Sequence, residues 1–326
     1  MKDSLIYYSV GALLYCPANH KTIAASIIRE RFGSKYSLAL CLEDTIRDDC
    51  VEDAEQKLVA ALHTIHNARK INRETSEPDF FLPKIFIRVR YPEQIRALYE
   101  QAGAAQELIT GFIAPKFAPD NADFYIDAIR ELNRTASRTV YMMPIFESPS
   151  IIHLLDRGRI LYSLKEKLDT VEPYILNIRV GGNDLCHMFG FRRHADESIH
   201  SIRPVADIFS DIITVFGMDY VVSGPVWEYY GGAGWDTGLA AELRQDRLCG
   251  FIGKTVIHPR QIALVNSAYQ VSRTDWEDAR AILHWNRGSD TLVAGNSAKE
   301  RMNECKTHEN WAKRILLLSE YYGVGN

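Results

Sequence analysis

Charged or titratable side chains close at least six of the short apolar runs in this 326-residue chain. Glu43 and Asp44 follow YSLALCL, Arg88 and Arg90 end KIFIRVR, and Lys116 stands near the end of GFIAPKF. Glu147 ends TVYMMPIFE, Asp184 lies just beyond YILNIRV, and His258 follows GFIGKTVI. Four carboxylates, Glu43, Asp44, Glu147 and Asp184, facing the cations Arg88 and Lys116 make a hard-cation site. Oxygen donors without a His-x-x-x-His pair or a cysteine cluster select Mg²⁺ or Mn²⁺ over Zn²⁺. Magnesium takes one or two protein carboxylates and completes its octahedron with water and substrate oxygens. Arg88 then suits a bidentate grip on a substrate carboxylate or an enolate oxygen. The same residues could instead form a ring of ion pairs that only stabilises the fold.

These residues meet only if their strands end on one side. Eight strand candidates, at 10–16, 36–44, 84–90, 111–117, 139–147, 174–180, 219–224 and 250–257, alternate with amphipathic stretches. Examples are 51–70, with apolar positions every three or four residues, and 120–133, where Asp120 is placed to cap the helix. Apolar strands separated by helices predict a parallel sheet with helical cover, and eight such units are the count of a (β/α)₈ TIM barrel. An open doubly wound sheet is the alternative. In a barrel the C-terminal strand ends form the active-site rim, which is where the charged groups fall. The barrel is expected over residues 1–272. Residues 273–326 read as a C-terminal helical extension, a lid or an inter-subunit segment, with a polar break at 287–297 as its hinge.

Composition excludes several classes. Lys+Arg total 38 against 42 Asp+Glu, a net charge of −4, which argues against a general nucleic-acid binder. No apolar run approaches the roughly 20 residues that span a bilayer, and the N-terminus lacks signal-peptide features. Six cysteines without a CxxC pair read as the thiols of a cytoplasmic protein. GFIGKT (250–255) ends like a phosphate-binding loop, but the first glycine of that motif would fall at residue 248, which is Leu.

In order along the chain, LALCLEDTIRDD (38–49), IFIRVR (85–90), APKF (114–117), PIFESPS (144–150), VGGNDLCHMFG (180–190) and GFIGKTVIHPRQIALVN (250–266) resemble the motifs of one family. That family is the citrate lyase β-subunit-like group of the HpcH/HpaI aldolase/citrate lyases. The resemblance implies a (β/α)₈ barrel in which Glu147 and Asp184 ligate Mg²⁺. It implies that Arg88 contacts the substrate carboxylate or enolate, with Lys116, Gly182 and Asn183 as further substrate contacts. Glu43 and Asp44 would hold the metal's waters, a role that fixes ligand geometry. Members commonly form trimers or hexamers, and some lend an acidic residue of the C-terminal extension to a neighbouring subunit. Glu304 falls near that place and is the acid/base candidate. The sequence departs from the family at Arg90, where Asn is more usual, in the first strand, and around 224–230.

The implied activity is a Mg²⁺-dependent carbon–carbon lyase acting on a hydroxy-acyl acid or thioester, with CoA as the candidate carrier, and releasing a 2-oxo acid. A thioesterase on a malyl-type thioester and a non-catalytic, regulatory protein that keeps the metal are the alternatives.

Overall fold

The apolar runs become strands because their outer faces meet helices and most of their inner faces meet apolar side chains. The computed structural model describes residues 2–286 and 290–325. Among them, eight parallel strands run β1 (Ala12–Pro17), β2 (Tyr36–Cys41), β3 (Lys84–Arg88), β4 (Ile109–Ala114), β5 (Tyr141–Phe146), β6 (Ile178–Val180), β7 (Val222–Ser223) and β8 (Lys254–Val256). Neighbours pair in chain order from β1 to β7, and β8 pairs with β1. A bridge between Gly224 and Lys254 joins β7 to β8 and closes the ring. There the Gly224 N–H donates to the Gly253 carbonyl at 3.0 Å, and the Thr255 N–H to the Gly224 carbonyl at 3.3 Å. The expected TIM barrel is therefore present, and the open doubly wound sheet is not.

The barrel is flanked by α1 (Leu5–Tyr8), α2 (Ile23–Ile28), α3 (Val51–Thr75), α4 (Glu93–Gln101), α5 (Ala122–Thr135), α6 (Leu154–Asp169), α7 (Gly182–Phe189), α8 (Arg203–Phe216), α9 (Trp235–Cys249) and α10 (Arg260–Ala268). In α8 the buried residues Val205, Ile208, Phe209, Ile212, Val215 and Phe216 recur at helical spacing, which gives the helix one apolar stripe to lay on the strands. Helix α5 begins one residue later than a cap at Asp120 requires. Asn121 holds the cap position, and its Oδ1 accepts from the Ala118 N–H at 2.9 Å instead of bonding into the helix.

Alternate strand residues point into the barrel. Leu13, Ala39, Phe86, Ile113, Met143, Ile145 and Leu176 form one buried cluster there. Register pairs Leu13 with Thr255, Ile145 with Arg179 and Arg179 with Ser223, so the β6–β8 side of the interior is polar.

Two further helices, α11 (Arg273–Leu283) and α12 (Glu309–Tyr322), follow the barrel and pack together through Ala279, Ile282 and Ala312. Between them lies a hairpin of β9 (Val293–Gly295) and β10 (Met302–Glu304). Part of the expected polar break is thus ordered antiparallel pairing, while Arg287–Ser289 lie outside the described residues. Arg301 anchors the hairpin to α11 through Asp278 (2.6 Å) and Asp275 (2.7 Å). Tyr321 of α12 contacts Gly11 just before β1, and the Lys84 ammonium at the start of β3 lies 5.5 Å over its ring. Helix α12 therefore covers the N-terminal strand ends, opposite the rim.

Lys254 shows why GFIGKT is not a phosphate loop. Its neighbour Thr255 faces inward, so Lys254 points out toward α9, fully buried between Glu242 (2.9 Å) and Asp246 (2.7 Å). His200 completes the group, with Nε2 at 2.7 Å from Asp246. Burial pushes the Asp246 carboxyl up, but Lys254 and His200 outweigh it and hold it below the ordinary value. A carboxyl depressed in the folded state stabilises above its unfolded pKa, and that contribution is lost as pH falls through the folded value. The protein is therefore expected to lose stability below about pH 4, and Asp246→Asn to flatten that part of the profile. Lys254→Met, which leaves buried Asp246 to His200 and buried Glu242 to Arg193 at 3.4 Å, is expected to cost about 3 kcal/mol in chemical denaturation at neutral pH. Among the described residues, no helix is long and apolar enough to cross a membrane.

Candidate active site

The barrel strands carry the charged groups to one rim because all eight run in the same direction. Arg88 ends β3 and is 6% exposed. Its guanidinium reaches Glu43 at 2.7 Å, Asp44 at 2.9 Å and Glu147 at 3.0 Å. Lys116, after β4, adopts a positive φ of 48°. That turn aims its N–H at Glu147 Oε1 (3.0 Å), while its ammonium bonds Glu43 and reaches Asp44 at 3.1 Å. Glu147 follows β5 directly and is 3% exposed.

Asp184 comes from the first turn of α7, which starts right after β6. Gly181 makes that junction possible. A Cβ there would stand 2.1 Å from Glu147 Oε2, so only glycine lets the β6–α7 backbone pass against the carboxylate. The N-terminal turn of α7 carries backbone N–H groups without helical partners, which suits an anion beside Gly182 and Asn183.

Asp44, Arg88, Glu147, Gly182, Asn183 and Asp184 line one cavity of about 290 Å³. Tyr15, Ile145, Arg179, Val226 and Thr255 complete much of its wall. Glu43 and Lys116 are not part of this lining, so Lys116 is not placed as the expected substrate contact; Glu43 pairs with Arg88, and the exposed Lys116 ammonium pairs with Glu43 and Asp44. Arg90 does not face the cavity as a substrate group. It fastens the β2–α3 loop, donating to the Leu42 carbonyl at 2.7 Å and pairing with Asp48 at 2.6 Å. Glu304 lies in the β9–β10 hairpin, where its Oε2 accepts from Thr307 at 2.8 Å, and it is not part of the cavity wall. His258 stacks on Tyr230 at 4.8 Å.

The carboxylates sit in different electrostatic states. Burial pushes Glu147 up to about 8, with Arg88 opposing and Asp184 adding to the rise. Burial likewise raises Glu43. Asp44 moves the other way, to about 2, because hydrogen bonding from Glu43 and the charges of Arg88 and Lys116 overcome its burial.

A dication placed by Glu147 and Asp184 would favour the charged form of the Glu147 carboxyl, which burial and the neighbouring Asp184 otherwise oppose. Both are oxygen donors on one cavity, and Asp184 is near enough to raise the Glu147 pKa. Among the described residues, no group of three or more His, Cys, Asp or Glu side chains gathers as a protein-only metal cage. Two carboxylates with open positions are the pattern of magnesium, which keeps water and substrate oxygens. The residues present fit that ion.

Arg179, Tyr15 and Thr255 are functional candidates that sequence reasoning missed. Arg179 was hidden inside an apolar run, yet Asn177, Arg179 and Gly181 at two-residue spacing could have shown a polar face turned inward.

A family model for C–C bond lyases of the TIM-barrel fold matches residues 4–324, so the chain belongs to that family. Solved structures share the fold. A citrate lyase from Burkholderia xenovorans LB400 superposes with a TM-score of 0.68 at 14% identity, over 97% of this chain and 93% of that one. The CitE protein of Mycobacterium tuberculosis, solved with magnesium, acetoacetate and coenzyme A, gives 0.59 at 17% identity, over 96% and 99%. An L-malyl-CoA/β-methylmalyl-CoA lyase of Cereibacter sphaeroides is 39% identical over 62 residues, 19% of this chain and 18% of that enzyme. The match thus spans less than a fifth of that relative.

Proposed function

We propose that this protein is a magnesium-dependent carbon–carbon lyase that cleaves a hydroxy-acyl acid or its CoA thioester and releases a 2-oxo acid. One observation carries the reading: Arg88, Glu147 and Asp184 surround a single cavity at the C-terminal strand ends. The magnesium and CoA bound by the M. tuberculosis protein, and the malyl-CoA substrate named for the C. sphaeroides relative, support it.

Glu147 and Asp184 would hold the ion, which supplies Lewis acidity and orientation for the carbonyl and carboxylate oxygens of the 2-oxo acid. In the cleavage direction a base takes the hydroxyl proton and the carbon–carbon bond breaks. Its electron pair passes into the enolate of the departing fragment, and an acid then protonates the enolate carbon. Arg88 puts a fixed positive charge where enolate charge develops, and its three carboxylate partners keep it from reorienting as the reaction proceeds. Free N–H groups at Gly182 and Asn183 would orient the substrate carboxylate. Lys116 holds Glu43 and Asp44 in place for the ion's waters. Glu304 is outside this chain's own cavity and would serve as acid/base from a second copy, with residues 273–326 as the inter-subunit segment. A trimeric or hexameric assembly in the cytoplasm belongs to the same proposal.

The test is product analysis of the purified chain with Mg²⁺ and a panel of hydroxy-acyl-CoAs and free hydroxy acids. Magnesium-dependent release of a 2-oxo acid, trapped as its phenylhydrazone, is expected. Hydrolysis to a hydroxy acid alone would make the protein a thioesterase, and magnesium binding without turnover on any member would mark a non-catalytic protein.

A further inference from the structure

We propose that Arg179, with Asn177, Thr255 and Tyr15 around it, forms an anion subsite in the floor of the cavity that receives a second carboxylate. The acid handled at this site is then a dicarboxylate. The proposal rests on the 2-oxo acid reading above and names the kind of acid.

Arg179 is 2% exposed and lies in the barrel interior on β6. Its guanidinium donates to Thr255 Oγ1 at 2.5 Å and to Asn177 Oδ1 at 3.3 Å, both neutral acceptors. Among the described residues no carboxylate forms an ion pair with it, whereas Glu43, Asp44 and Glu147 are already engaged by Arg88. Burial pulls Arg179 below the ordinary arginine value, with the Tyr15 phenol opposing. A guanidinium removed from water without a counter-anion is costly, and a ligand carboxylate would supply the missing charge.

Arg179 lines the same cavity as Arg88, Glu147 and Asp184. The register pairs it with Ile145, so Glu147 stands one inward-facing position nearer the mouth, about 7 Å along the strand. The cavity therefore offers two anion points at different depths. A monocarboxylate held at the rim leaves the deeper guanidinium unanswered, while a dicarboxylate answers both. The planar fork of Arg179, already fixed by Thr255 and Asn177, suits a carboxylate better than a hydroxyl.

Oxaloacetate and pyruvate share the 2-oxo acid head and differ by the second carboxylate. Titration calorimetry of the full chain with Mg²⁺ is expected to show oxaloacetate binding about ten- to a hundredfold tighter than pyruvate. Arg179→Gln should erase that preference and leave pyruvate binding unchanged, and Arg179→Lys should restore part of it. Thr255→Val, a milder change that frees one of the Arg179 donors, should weaken oxaloacetate selectively and decides the matter if Arg179→Gln does not fold. Equal affinities in the wild type, or a preference that survives Arg179→Gln, would overturn the subsite while leaving the lyase reading intact. Failure of the wild type to bind either acid would sink the lyase reading and the subsite together.

Discussion

Replacing Glu147 with Gln is expected to remove magnesium binding and to lower lyase turnover by about a thousandfold, on the order of 4 kcal/mol of transition-state stabilisation. The substitution keeps the shape that accepts from Arg88 and the Lys116 N–H, both at 3.0 Å, and deletes only the charge. Burial already favours the neutral form of this carboxyl, so a neutral amide should be tolerated in the magnesium-free protein. Loss of function would then be loss of a ligand and not loss of the fold. Melting curves check this directly. Magnesium should raise the melting temperature of the wild type and leave that of Glu147→Gln unmoved, since a ligand stabilises only the state that binds it. Asp184→Asn should behave in the same way. A variant that keeps both its magnesium-induced shift and its turnover would refute the assignment.

Removing Arg88 should have the larger structural effect. Its guanidinium, nearly excluded from solvent, is the shared partner of Glu43, Asp44 and Glu147. Arg88→Ala leaves those carboxylates facing one another, and breaking such a buried cluster is expected to cost about 3–5 kcal/mol in denaturation of the magnesium-free protein. Magnesium should restore part of that loss, so its stabilising effect should exceed the wild-type effect. Arg88→Lys keeps a charge but loses the planar fork that spans three carboxylates, and should recover stability without recovering turnover. If Arg88→Ala were as stable as the wild type without magnesium, the rim would not be held together by charge as described.

Much of the barrel was legible because its strands are continuous apolar runs with few other structural options. All eight candidate segments overlap a strand, and the polar residues at their C-terminal ends mark the rim. The extent of the strands was less legible. The run at 174–180 yields only Ile178–Val180, since its first residue, Tyr174, ends a 3₁₀ turn begun at Glu172 and Ile175 makes only an isolated bridge to Met142. The β9–β10 hairpin escaped notice because strands three residues long in a polar stretch carry little periodicity, and its anchor on Asp275 and Asp278 is tertiary. Arg88, Glu147 and Asp184 were readable from their position after apolar runs. Arg179 was less so, because an arginine one residue from a strand end looks the same whether it faces solvent or the barrel interior. The two-residue spacing of Asn177, Arg179 and Gly181 hints at the inward face, and the strand register fixes it.

A crystal structure of the protein with Mg²⁺ and a 2-oxo acid tests the central claim most directly. One ion is expected, bonded to a carboxylate oxygen from each of Glu147 and Asp184 at about 2.0–2.1 Å, with the acid completing its octahedron beside Arg88. An ion seated elsewhere, or held by one of these carboxylates while the other stays turned away, would contradict it.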